Sequence, residues 1–199
     1  LNLVAAPQGD ALTLVFKYLP DAIDAAWLTA ALRGSGAVRE ARVVDVQSRR
    51  VGEGMLGDSI RFALTYDREE EGAPSSVVGK FASTDPVSRA TGWNYGLYIK
   101  EVSFYREIAG SVAVRAPQAF LADMNPESGE FTLLLEDMSP AHQGDQVSGC
   151  TLEDAEMVMD QAAALHGPLW GDPSLIERAW LGGMAGEAKK AHAANFPEF

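Results

Sequence analysis

The stretch Val51-Gly52-Glu53-Gly54-Met55-Leu56-Gly57-Asp58-Ser59-Ile60-Arg61-Phe62-Ala63-Leu64-Thr65-Tyr66 decides how this chain is read. Its first half carries Gly52, Gly54 and Gly57 in a G-x-G-x-x-G cluster. Its second half alternates Ile60, Phe62, Leu64 and Tyr66 with Arg61, Ala63 and Thr65, the period-two pattern of a strand with one buried face. Upstream, Val38–Val51 is β-branched and arginine-rich and predicts another strand. Strand, glycine turn, strand is a hairpin. A dinucleotide-binding unit needs a helix directly after such a cluster, with the pyrophosphate at its N-terminus, so a strand over 59–66 excludes that reading. A glycine hairpin can close over phosphates because no Cβ shields its backbone N–H groups. The same glycines also suit a plain, flexible hairpin, and the cluster alone leaves both open.

Working outward, residues 1–20 read as an irregular lead-in. Ile23, Trp27, Leu28, Ala31 and Leu32 follow helical spacing, and Gly34 and Gly36 supply a stop. After the hairpin come a charged turn at Asp67–Pro74, a short apolar strand at Ser75–Phe81 and a loop over 83–92. A helix is expected from Trp93 to Ile108, with Leu97, Glu101, Phe104, Tyr105 and Ile108 on one face. Ala119–Ala122 and Phe131–Leu135 read as strands around a turn at Asn125–Gly129. A polar linker follows, and then Thr151, with Asp154 three residues on as a capping-box partner, opens another helix. Its apolar face is Leu152, Ala155, Val158, Met159, Ala162 and Leu165, and Gly167-Pro168 ends it. The order predicts an α+β protein: an antiparallel sheet with helices, followed by the start of a helical region.

Lys80 and Glu101 are the candidate site residues beside the hairpin. Lys80 lies between Gly79 and Phe81 in an apolar strand, where an ammonium needs a partner or water. A phosphate under the hairpin would be such a partner; an edge-strand lysine reaching solvent is the plainer alternative. Glu101 falls on the next helix, on a face with apolar neighbours, where a carboxylate is costly without a cation. Lys80 is the obvious one. Glycine hairpin, strand lysine and helix glutamate in this order form a phosphate-gripping set of the kinase kind.

At this point the chain resembles the small-molecule kinases of the aminoglycoside phosphotransferase and choline kinase superfamily, nearest to the ecdysteroid-kinase-like branch. The resemblance runs from about Trp27 to Trp170. It rests on Trp27-Leu28 with Leu32, Gly52–Asp58, Lys80-Phe81, Glu101–Glu107, Leu133–Met138, Gly144-Asp145-Gln146 and Leu165-His166. It implies a protein-kinase-like fold in which Gly52, Gly54 and Gly57 cover the triphosphate of ATP. Lys80, positioned by Glu101, would hold the α- and β-phosphates. Glu136 to Met138 would form the hinge, offering backbone groups to adenine. Mg2+ would be the accompanying ion. Residues 1–136 would be the N-lobe with its N-terminal helix, 137–150 the hinge and linker, and 151–199 an incomplete start of a helical C-lobe.

The family's His-Gly-Asp-x-x-x-x-Asn loop and its second, magnesium-binding aspartate do not occur in this sequence, so the catalytic and metal-binding residues stay unassigned. His142-Gln143-Gly144-Asp145 is a near miss: one residue too long, with Cys150 where the asparagine should stand, and only a few residues past the hinge. Asp145 reads as a linker residue. His166, at the end of an apolar helix, reads as a packed, hydrogen-bonded histidine, and His192 beside Lys189 and Lys190 carries no assignment. The expected activity is ATP-dependent phosphorylation of a small-molecule hydroxyl by the parent protein. This chain is read as ending before the catalytic loop and as inactive alone. A cut chain, a lobe supplied by another chain and a non-catalytic nucleotide-binding or interaction module all stay open, with the first preferred.

Composition narrows the partners. With 199 residues, 47% of them hydrophobic, the chain can bury the core of one domain or two small lobes. No run of 18 apolar residues occurs, so no membrane span is expected. The single Cys150 excludes an internal disulfide and a multi-cysteine metal site, and a cytoplasmic location is the default expectation. The first hundred residues carry a net charge of −1 and the rest −11. That acidity speaks against nucleic acid as a partner. The plainer reading of that acidity is a solvated, solubilising surface; at a site it would suit an aminoglycoside or choline-like cation, whereas the nearest branch suggests a steroid-like or other apolar alcohol. The acceptor and the oligomeric state stay open.

Overall fold

Asp24 starts the first helix. Its carboxylate accepts the Trp27 N–H at 2.8 Å, satisfying one of the donors that a helix N-terminus leaves unpaired. The helix, α1 (Ala25–Gly34), buries Trp27, Leu28, Ala31 and Leu32, the stripe its spacing predicts. Gly36, at φ +79°, turns the chain away. These elements belong to a computed structural model, which describes residues 17–52, 54–141, 144–145 and 147–181. The expectations for the first sixteen residues, for His142 and for the Lys189–His192 patch fall outside the described residues.

Among the described residues five strands follow: β1 (Val43–Arg50), β2 (Gly57–Tyr66), β3 (Ser76–Ala82), β4 (Ala119–Met124) and β5 (Phe131–Glu136). They form one antiparallel sheet in the order β1-β2-β3-β5-β4. The period-two patterns therefore sort side chains to two faces. On one face Phe62, Val77, Phe81 and Leu134 meet α1 through Trp27, Leu28 and Leu32. On the other, Ala82, Phe131, Leu133 and Leu135 meet Tyr98 and Val102 of a later helix. The chain is thus α+β, as the order of elements predicts.

The first strand is shorter than expected. Val38 and Ala41 are buried, but the backbone at 39–41 pairs with a side chain instead of a strand. The Glu70 carboxylate, in the β2–β3 turn, accepts the N–H groups of Arg39, Glu40 and Ala41 at 2.6, 2.8 and 2.7 Å. The Ala41 N–H, then those of Arg39 and Glu40, hold its pKa down to about 2.

Two helical expectations need correction. Residues 83–92 are not a loop: α2 (Pro86–Asn94) begins there, with Asp85 accepting the Ser88 N–H and Pro86 in the first turn. Nor do residues 93–108 form one helix. Gly96 takes φ +63°, a left-handed conformation that ends α2 and leaves Trp93 on it. The next helix, α3 (Leu97–Ser103), passes into a π-turn over Phe104–Ile108. Its buried side is consequently Tyr98, Val102 and Ser103, with Leu97 exposed.

Another helix, α4 (Leu152–His166), has the expected capping box: Thr151 and Asp154 exchange side-chain-to-backbone hydrogen bonds. Leu152, Val158 and Met159 on its apolar face are exposed. A short helix, α5 (Ser174–Glu177), and a turn at Ala179–Leu181 follow. There Arg178 and the Trp180 indole N–H both donate to Glu107 of the π-turn, at 2.6 and 2.9 Å.

Candidate functional site

Lys80 sits in the centre of the sheet, paired with Ser59 of β2 on one side and Leu133 of β5 on the other. Its strand neighbours Gly79 and Phe81 point to the α1 face, so the lysine points to the face that α3 half covers. There its ammonium forms an ion pair with Glu101 of α3. Phe81 and Val102, adjacent to the pair in sequence, are both fully buried, which holds the strand and the helix in place. The pair itself is one-third exposed on each side. Its sequence neighbours are buried while the pair itself keeps contact with solvent.

The hairpin joins β1 to β2 two residues from Ser59. Gly52 takes φ +72°, which other residues adopt at a cost. A Cβ at Gly57 would lie 3.0 Å from the Phe81 carbonyl oxygen, and one at Gly54 would lie 3.1 Å from that of Gly57. The backbone of the turn thus leaves little room for a side chain at Gly54 and Gly57. The base of the hairpin is fixed by Asp58, 3% exposed, which receives Arg50 at 2.5 Å and the Thr84 N–H at 2.9 Å.

Glu136 and Met138 stand where β5 runs out. Glu136 is opposite Val77, three residues along β3 from Lys80, or ~10 Å at strand rise. Its carboxylate is taken by Arg115 at 2.6 Å and by the Gln118 N–H at 3.0 Å. Arg115, before that N–H, lowers its pKa. The Glu136 side chain is therefore committed to protein partners, while the Met138 carbonyl accepts the Ala141 N–H at 2.8 Å.

Between them lies a residue that sequence reasoning mentions only as part of a run. The Asp137 side chain is 6% exposed and receives Arg61 and the Ser76 hydroxyl at 2.7 and 2.6 Å, with the Ser139 N–H at 3.0 Å. Burial pushes its pKa up, but those donors outweigh burial and the carboxyl ends below its ordinary value. Asp137 ties the segment after β5 to β2 and β3. Arg61 stands opposite Val78 on the Lys80 face, an arginine at a strand position that could have flagged a buried partner. Tyr98 is the other unassigned residue: its hydroxyl donates to the Leu56 carbonyl at 2.6 Å, inside the glycine turn.

The gathered set is thus the hairpin, Lys80 and Glu101, with Glu136 and Met138 at the far end of the same strands. Asp145 stands apart. It accepts the Val147 and Ser148 N–H groups in a tight turn, and the Ser148 N–H first of all lowers its pKa. His166 is exposed at the end of α4 instead of packed, beside an apolar groove with Leu165, Leu169 and Trp170. Among the described residues no group of three His, Cys, Asp or Glu side chains could hold a metal ion, and no helix is long and apolar enough to cross a membrane. No protein-family model matches the sequence, and no curated protein or solved structure matches it either.

Proposed function

We propose that this chain is the nucleotide-gripping part of an ATP-dependent phosphotransferase that acts on the hydroxyl of a small molecule. The observation that carries the reading is the Lys80–Glu101 ion pair, flanked by buried neighbours and in contact with solvent, beside the glycine hairpin. The sheet order, and helices inserted between β3 and β4, are compatible with a protein-kinase-like N-lobe. The ~10 Å between Lys80 and Glu136 leaves room for a nucleoside between a base at the hinge and phosphates at the lysine. In that arrangement Lys80 would neutralise the α- and β-phosphates, and Glu101 would keep its ammonium aimed. Gly52, Gly54 and Gly57 would present backbone N–H groups over the triphosphate. Glu136 to Met138 would meet adenine through the backbone groups left over, since Arg115 engages the Glu136 carboxylate, Gln118 accepts the Glu136 N–H and the Met138 carbonyl accepts the Ala141 N–H. ATP with Mg2+ would supply the phosphoryl group.

A second reading is a nucleotide-binding module without transfer. It is favoured by Asp145, the aspartate nearest the family's catalytic motif, whose carboxylate is spent on its own turn. Both readings require ATP binding; only the first requires product. Calorimetric titration with Mg-ATP should show saturable one-to-one binding, weakened at least tenfold by Lys80→Met. No binding by the wild type, or equal binding by the variant, would overturn both readings. Phosphorylated product from a panel of small alcohols, read by mass spectrometry, would then eliminate the second.

A further inference from the structure

We infer that Tyr98 is a positioning residue that sets the height of the glycine hairpin above Lys80. The inference rests on the ATP-binding reading above. Tyr98 is in the first turn of α3, three residues before Glu101, so both project to neighbouring positions of one helix. Its ring is 3% exposed and lies against Phe131, with centroids 4.9 Å apart. On another side the ring touches the backbone at Gly92, where a Cβ would come within 2.4 Å of Cζ. A ring clamped this way has one place to put its hydroxyl. That hydroxyl donates to the Leu56 carbonyl at 2.6 Å and receives the Ser83 N–H at 3.4 Å.

Leu56 lies between Gly54 and Gly57, in a turn whose glycines offer no side chain to hold it. Its carbonyl belongs to the same planar peptide as the Gly57 N–H, so fixing one fixes the other. One helix therefore grips the lysine through Glu101 and the hairpin through Tyr98. The gap between cation and hairpin, which a phosphate chain would have to fill, is thereby tied to α3, in addition to the hold of Asp58 on the base of the hairpin.

Tyr98→Phe tests this, because phenylalanine keeps the contacts with Phe131 and fits the space at Gly92. Mg-ATP and adenosine would each be titrated into wild type and variant, with amide exchange of residues 54–58 followed without nucleotide. Loss of the Leu56 hydrogen bond, together with the longer one from Ser83, should weaken ATP about three- to tenfold and leave adenosine unchanged. Exchange at 54–58 should quicken. Equal weakening of ATP and adenosine would mean a general loss of structure, and unchanged ATP affinity would mean an idle contact; either overturns the inference. Should the wild type bind no ATP, the ATP reading fails by itself. Exchange then decides for Tyr98: quickened exchange upholds its grip on the hairpin, and unchanged exchange overturns it.

Discussion

Lys80 and Glu101 offer a way to separate an ion pair kept for a ligand from one kept for the fold. Side-chain exposures of 32% and 33% place the pair between two known regimes. Exposed pairs couple by ~0.2–1 kcal/mol, whereas breaking a fully buried pair costs ~3–5 kcal/mol. Water reaches both members here, so the coupling in a double-mutant cycle of Lys80→Met, Glu101→Gln and the double variant should be about 0.5–1 kcal/mol. For a chain of this length that corresponds to a Tm change of only ~1–4 °C. Urea unfolding followed by circular dichroism would supply the four free energies. The same proteins with Mg-ATP provide the contrast. At a hundred times its Kd, a ligand stabilises the native state by about 2.7 kcal/mol; if Lys80→Met weakens binding tenfold, the same concentration gives about 1.4 kcal/mol. The expected pattern is a small intrinsic effect and a large loss of ligand stabilisation. A coupling above ~2 kcal/mol with unchanged ligand stabilisation would refute the reasoning, since the pair would then be a structural staple.

Two further outcomes follow from the packing. Gly129→Ala should destabilise the fold by at least ~2 kcal/mol, because φ is +72° there and the new Cβ would fall 2.2 Å from the Trp93 ring; an unchanged unfolding midpoint would contradict this. Glu70 gives a pH window. Its folded pKa, about 2, lies below the ordinary 4.5, so the stability it contributes is present above pH ~4.5 and is lost as pH falls towards 2. Glu70→Gln should flatten that part of the stability-versus-pH curve, and an identical acid limb in the variant would exclude the three N–H contacts as its cause.

Several features were legible because they are local. The alternation from Ile60 to Tyr66 needs no partner to declare a strand, and Thr151 with Asp154 declares a helix start from three-residue spacing. The Lys80–Glu101 pair was legible for a different reason: each residue is costly among apolar neighbours unless the other is near. The two helices between β3 and β4 were less legible. Asp85-Pro86 is a start signal and Gly96 a stop, but a stretch with apolar residues on every side, Trp93 to Ile108, looks like one helix when periodicity is judged alone.

By itself, then, the sequence determined the strands, the helices α1 and α4, the α+β order and the glycine hairpin between β1 and β2. Those follow from torsional preference and side-chain period, which act over a few residues. The tertiary structure alone decided that Tyr98 and not Leu97 faces inward, and that Tyr98 reaches Leu56, 42 residues away in sequence. It also decided that Asp137 receives Arg61 and Ser76 from two different strands. Contacts of this kind depend on the order in which strands pair and on the angle at which α3 crosses the sheet. Both are set by burying Phe131, Leu133 and Val102 together, a collective requirement that no short stretch of the chain records.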